Sequence, residues 1–263
     1  MKSLALAVTL LASSAAAAAV PTGSFRGGSP LIGSSDVMAM LIRQDPADAN
    51  AGYALLAEYT RLPYIPGPER IEITKWVPRM YAYRVEQIDD TRYAVKPLHV
   101  VSGDITVDAS YAFGVLTLKK KGSMIGAVLT RFDKGATTPS ETVTFDGKVS
   151  STWEAWVPGN YFGTKDSTGG DYLRKDVNTV LGADKTAQFT QREIVGAFTA
   201  AEKAPGMFVF TPTGAGVTGA EKVSDRIAVF VDIVNWKPFF TTDELLLINP
   251  NDAKDLGFYY ERH

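Results

Sequence analysis

The chain has 263 residues, of which 45% are hydrophobic and 21% charged, and carries a formal net charge of −2. This is the composition of a globular protein and argues against a mostly disordered chain, and the near-neutral balance argues against a nucleic-acid footprint and a polybasic membrane patch, which draw on an excess of basic residues. There is no cysteine and there are only two histidines, His99 and His263. Disulfides, thiolate catalysis and cysteine- or histidine-rich metal centres are therefore excluded, and no cofactor is expected.

Residues 1–19 read as a secretory signal peptide. Lys2 supplies a basic start, Leu4 to Ala12 form an apolar run too short to span a bilayer, and Ser13 to Ala19 are small. Ala17-Ala18-Ala19 fits the small-residue cleavage rule and leaves Val20 as the mature start; cleavage one or two residues earlier fits as well. With no cysteine to take a lipid and no second apolar span, the expected product is a free chain of about 244 residues, exported to the periplasm or the exterior, and the lack of a twin-arginine pair favours the general secretory route. No stable membrane anchor is expected.

Beyond the signal the chain reads as strands separated by turns. Tyr81, Tyr83 and Val85 alternate with Met80, Ala82 and Arg84. Val143 and Phe145 alternate with Thr142 and Thr144; Phe208 and Phe210 flank Val209; Ile227, Val229, Val231 and Ile233 share a face; Leu245 and Leu247 continue the pattern. Such period-2 runs of β-branched and aromatic residues suit half-buried strands. Asp45-Pro46, Asp89-Asp90, Ser102-Gly103, Lys121-Gly122, Asp146-Gly147, Pro205-Gly206 and Asn249-Pro250 supply turn chemistry between them. About fourteen to sixteen short strands result, at the spacing of an all-β sandwich or barrel. The one helical candidate is Leu173 to Leu181, of one or two turns. Ala220 to Ser224 is expected to run straight into the strand at Arg226.

An internal repeat sets the domain plan. Val20-Pro21 precedes Gly23-Ser24-Phe25-Arg26-Gly27, and Val157-Pro158 precedes Gly159-Asn160-Tyr161-Phe162-Gly163. Each Gly-x-aromatic-x-Gly motif opens enough strand pattern for one small barrel. The expected fold is all-β and antiparallel, with two barrels in tandem at residues 20–150 and 151–263 and a join near 148–152. A single large barrel or sandwich is the alternative. The Gly-x-aromatic openings resemble those of the lipocalin-like, or calycin, barrels, with Phe25 and Tyr161 where that family carries Trp. The resemblance implies closed barrels whose mouths hold an apolar ligand.

Motifs of catalysis are sparse. Gly214-Ala215-Gly216-Val217-Thr218-Gly219 spells G-x-G-x-x-G, but without a following helix it reads as a glycine loop between strands. Asn249 to Asp255 gathers oxygen-bearing side chains, but Pro250 and Lys254 break the calcium-loop spacing, which leaves a hairpin connection. Asp104 and Asp108 share a strand face, whereas Asp225 and Asp232 do not. His99 lies in an apolar strand beside Pro97, and Lys119-Lys120-Lys121 reads as a solvated hairpin tip. Glu154 between Trp153 and Trp156 is the one carboxylate in an aromatic setting that could serve glycoside chemistry.

The expected function is that of an exported, non-enzymatic β protein of the cell envelope, binding an apolar small molecule or an envelope protein, with Trp153, Trp156 and Tyr161 as candidate ligand-binding residues. Two alternatives stand beside it: an outer-membrane β-barrel, and a secreted carbohydrate-active enzyme using Glu154.

Overall fold

The computed structural model describes residues 19–28, 37–61, 76–107, 114–121, 124–133, 135–148, 156–164, 178–191, 193–232, 243–251 and 258–262. Within them the chain forms two antiparallel β-barrels in tandem, the plan expected from the internal repeat.

The first barrel contains β1 (Gly23–Gly28), β2 (Val37–Asp45), β3 (Asp48–Arg61), β4 (Trp76–Gln87), β5 (Arg92–Val101), β6 (Asp104–Val107), β7 (Gly114–Lys121), β8 (Met124–Arg131) and β9 (Glu141–Lys148). Strands follow one another as neighbours from β1 to β5. The pairing of β4 with β5 and of β1 with β9 joins the ends of the sheet into a ring. Strand β6 branches from this ring. Along β5 the buried positions run Tyr93 and Val95, then Leu98 and Val100, so the alternation slips by one residue at Lys96-Pro97. That slip turns the second half of β5 to the opposite face, where it forms a hairpin with β6. Ser102 and Gly103 both have positive φ, 51° and 81°, as the tightest hairpin turns require.

The second barrel contains β10 (Gly159–Thr164), β11 (Asn178–Leu181), β12 (Thr186–Gln191), β13 (Ile194–Ala204), β14 (Met207–Pro212), a one-turn helix α1 (Glu221–Ser224), β15 (Ile227–Asp232), β16 (Asp243–Ile248) and β17 (Phe258–Arg262). Each strand pairs with the next, and β17 closes on β10. The two Gly-x-aromatic motifs are β1 and β10, the first and closing strands of the two rings. Phe25 and Tyr161 occupy the matching inward position in each and are fully buried.

Two local expectations are corrected. Asn178 to Leu181 is strand, not helix: Thr179 and Val180 are β-branched, and the segment pairs with strands on both sides. The remainder of that candidate lies outside the described residues. Conversely Glu221 to Ser224 is helical, because the helix formers Glu221 and Lys222 lead into Val223, whose burial anchors the turn.

The buried residues fall into three clusters. Phe25, Met40, Ile42, Leu56, Tyr83, Val85, Tyr93, Leu129 and Phe145 fill the first barrel. Tyr161, Phe189, Phe198, Phe208, Phe210, Phe230, Leu245, Leu247 and Tyr260 fill the second. The third cluster is shared. Leu41, Leu55, Ala82, Leu98 and Val100 of the first barrel meet Ala204, Met207, Val209, Ile227, Val229, Leu246 and Ile248 of the second. These residues alternate with the interior ones, so they come from the outer faces of both barrels. Strand β14 is consequently buried on both faces, Phe208 and Phe210 inward and Met207 and Val209 toward the neighbouring barrel.

Candidate functional site

The second barrel is packed with rings. Phe189, Phe198, Phe208, Phe210, Phe230, Tyr161, Tyr260 and Trp156 form a network of edge-to-face contacts, with centroids 5.2 to 6.4 Å apart. This is the geometry that the aromatic quadrupole favours. Trp156 sits just before β10. It contacts Phe208, Phe210 and Phe230, and its indole N–H donates to the Gly182 carbonyl at 2.7 Å. Gly182 lies in the turn after β11, whereas α1 follows β14, three strands on. In an up-and-down ring those are opposite ends. Trp156 thus closes one end, and Val223 of α1, with Val217 and Ala220 packed beside it, closes the other.

The glycine-rich loop holds that second stopper in place. Thr218 pairs with Val195 of β13, and Lys222 Nζ lies 2.8 Å from Glu193 Oε2. Gly219 has φ +67°, and a Cβ there would lie 1.8 Å from the Glu193 carbonyl oxygen, so only glycine fits. The loop is therefore a clasp on the barrel end, and a helix of one turn offers no seat for a pyrophosphate.

Among the described residues, the buried polar side chains of the second barrel are Thr179, Gln191 and Arg226. Gln191 Nε2 donates to the Tyr260 hydroxyl at 3.0 Å, and Arg226 Nε donates to the Lys222 carbonyl of α1 at 2.7 Å. Burial holds the Tyr260 phenol far above its ordinary value, against the smaller opposing effects of Gln191, Thr179 and Arg226. It stays neutral and acts as a hydrogen-bonding group.

In the first barrel the described buried charge is Arg131, at the end of β8. It pairs with Glu141 of β9, and its guanidinium lies 5.6 Å from the centre of the Tyr81 ring. Tyr81 in turn stacks on Tyr83, with centroids 6.3 Å apart. Sequence reading passed over this cluster. Its signal was the alternation Ile125, Ala127, Leu129, Arg131, which carries a charge onto the inward row.

The boundary between the barrels carries a third set of contacts. The Asn251 side chain accepts from the Val100 N–H at 3.2 Å and donates to the Val100 carbonyl at 3.1 Å, as a neighbouring strand would. The same Oδ1 lies 3.2 Å from His99 Nδ1. Lys203 Nζ lies 2.5 Å from Asp104 Oδ1. At the rim, Arg84 is 4.7 Å from the centre of the Tyr53 ring and 2.7 Å from Asp45 Oδ2. Partial burial pushes the Asp45 carboxyl up, but the hydrogen bonds from Arg84 and Ala47 and the Arg84 charge outweigh it and hold it below its ordinary value.

Of the candidate ligand-binding residues, the structure brings Trp156 and Tyr161 together. Both touch Phe230, and the Tyr161 hydroxyl donates to the Val157 carbonyl at 3.0 Å. Trp153 lies outside the described residues, as do Glu154 and Asp108. Asp104 serves in an ion pair, and His99 belongs to the inter-barrel seam. No protein-family model matches the chain, and no curated protein or solved structure matches it either.

Proposed function

We propose that this is an exported, non-enzymatic β protein of the cell envelope that acts on a protein partner through its outer surface. The observation that carries this reading is the filled second barrel. Its interior is occupied by the chain's own aromatic rings, and Trp156 and Val223 stopper its ends. A pocket for a small apolar molecule needs concave space that buries most of the ligand. Here that space is taken by side chains. The Gly23-Ser24-Phe25 and Gly159-Asn160-Tyr161 openings still favour lipocalin-like ancestry for the rings, with the ligand cavity given over to core.

The polarity of the strands argues for a water-facing protein over an outer-membrane barrel. A membrane barrel is polar inside and apolar outside. Both interiors are mainly aliphatic and aromatic here, and Glu86, Lys96 and Lys119 lie on the outward faces of their strands.

Titration with an apolar fluorophore, 1-anilinonaphthalene-8-sulfonate, tests the reading. The wild-type chain is expected to give no saturable enhancement. Trp156→Ala, which removes a stopper, is expected to lose about 3–5 kcal/mol of stability and to gain a dye site. Saturable one-to-one binding by the wild type would sink the partner reading in favour of a small-molecule carrier. Release by osmotic shock without detergent checks the address.

A further inference from the structure

The N-terminal edge of the described chain is a component of the first barrel. Val20 is 1% exposed and belongs to the interior cluster, whereas Ala19 beside it is exposed. The Val20 N–H donates to the Ala49 carbonyl at 2.9 Å. Two residues on, the Thr22 hydroxyl accepts from the Gln44 N–H at 3.1 Å. Gly52 leaves room for the valine: a Cβ there would lie 2.8 Å from Val20 Cγ1. The chain is thus fixed to the barrel from Val20 onward.

The internal repeat points the same way. Val157 lies two residues before β10 where Val20 lies three before β1, and it packs, partly buried, against the interior of its own barrel. In each ring a Val-Pro step delivers an apolar residue to the base. Val20 lies at the end of the first barrel marked by the β2–β3 turn, opposite the Arg131–Glu141 pair.

We propose that a leader peptidase cuts the Ala19–Val20 bond and that Val20 then closes the base of the first barrel as the first residue of the exported chain. This rests on reading residues 1–19 as an export signal. Water adds across the amide, leaving a carboxylate on Ala19 with the leader and an α-ammonium on Val20. With Ala19 gone, that ammonium meets solvent on one side and keeps its bond to Ala49 on the other. The bond changes from amide to charge-assisted, a type about twice as strong as its neutral counterpart. A cut one residue earlier leaves a neutral amide at this contact, and a cut one residue later removes the stopper.

Intact-mass measurement and N-terminal sequencing of the chain recovered from the cell envelope test the proposal. The expected first residue is Val20. In parallel, a chain released from a cleavable fusion to begin at Val20 is compared with one beginning at Pro21. Loss of the valine is expected to lower the thermal midpoint by about 3–10 °C. An exported chain beginning at any other residue overturns the proposal, and so does an unchanged midpoint without Val20. An uncut chain that stays in the cytoplasm overturns the export reading itself.

Discussion

Single side chains in this protein spend their polarity on holding turns. Asp89, in the turn between β4 and β5, accepts from the Thr91 N–H, the Thr91 hydroxyl, the Arg92 N–H and the Arg92 guanidinium. The Thr91 backbone bond and the Arg92 bond draw its carboxyl down to about 2. The ordinary value is near 4, so the folded state favours the ionised form. That contribution is complete above about pH 4 and disappears as pH falls from 4 through 2. Asp89→Asn should therefore melt below wild type at pH 7, and the two should converge near pH 2. A gap that persists at pH 2 would show that the carboxylate's charge is not what matters. Asp89-Asp90 was legible in the sequence as turn chemistry. Its four-bond arrangement was not, because it depends on Thr91 and Arg92 folding back over the carboxylate, and no periodicity encodes that.

Among the elements, the strands of the rings were the most legible and the short ones the least. Tyr81-Tyr83-Val85 and Val143-Phe145 read as single strand faces and form inward faces, since alternation is set by the pleat alone. The two Gly-x-aromatic motifs gave away the repeat for the same reason. Strand β11 was misread because four residues are too few to separate a period of 2 from one of 3.6, and pairing on both sides decided the matter. Strand β5 hid a different feature, its change of face at Lys96-Pro97, which frees the Val100 backbone on one edge. Asn251 covers that edge with its side-chain amide, although it lies 151 residues away in sequence. Asn251→Ala should leave the Val100 N–H and carbonyl without this partner and cost about 1–3 kcal/mol. Hydrogen exchange at Val100 should quicken in the variant while Tyr93 and Val95 stay protected. Equal quickening at all three would mean that Asn251 supports the whole ring and not this edge.

For the whole molecule, the decisive feature is the third cluster, and it was the least legible of all. Leu41, Leu55, Leu246 and Ile248 look like surface positions of a strand when their partners across the alternation are assigned inward. Their burial depends on the face that the second barrel presents to the first, which no local pattern announces. The shared cluster couples the two rings, and heat should unfold the wild type in a single calorimetric transition. Leu246→Asp places a charge in the seam while leaving the inward-facing Leu245 and Leu247 untouched. It should cost several kcal/mol and split the transition into two. Two transitions in the wild type would show that the seam contributes little. The candidate site fared similarly: Trp156 and Tyr161 were legible as aromatics worth marking, but not as packing partners, because the rings they touch come from β14 and β15, about 50 to 70 residues farther on.

The seam also imposes an order in time. A chain that emerges N-terminus first, from a ribosome or from an export channel that passes it unfolded, delivers the first ring whole, through Lys148, before any of β14 appears. That ring can close its own hydrogen bonds, yet Leu41, Leu55, Leu98 and Val100 must wait in water until Ile248 has been made. Over those hundred residues a first barrel that has closed carries an adhesive side, and two such barrels are each other's nearest substitute for the missing half.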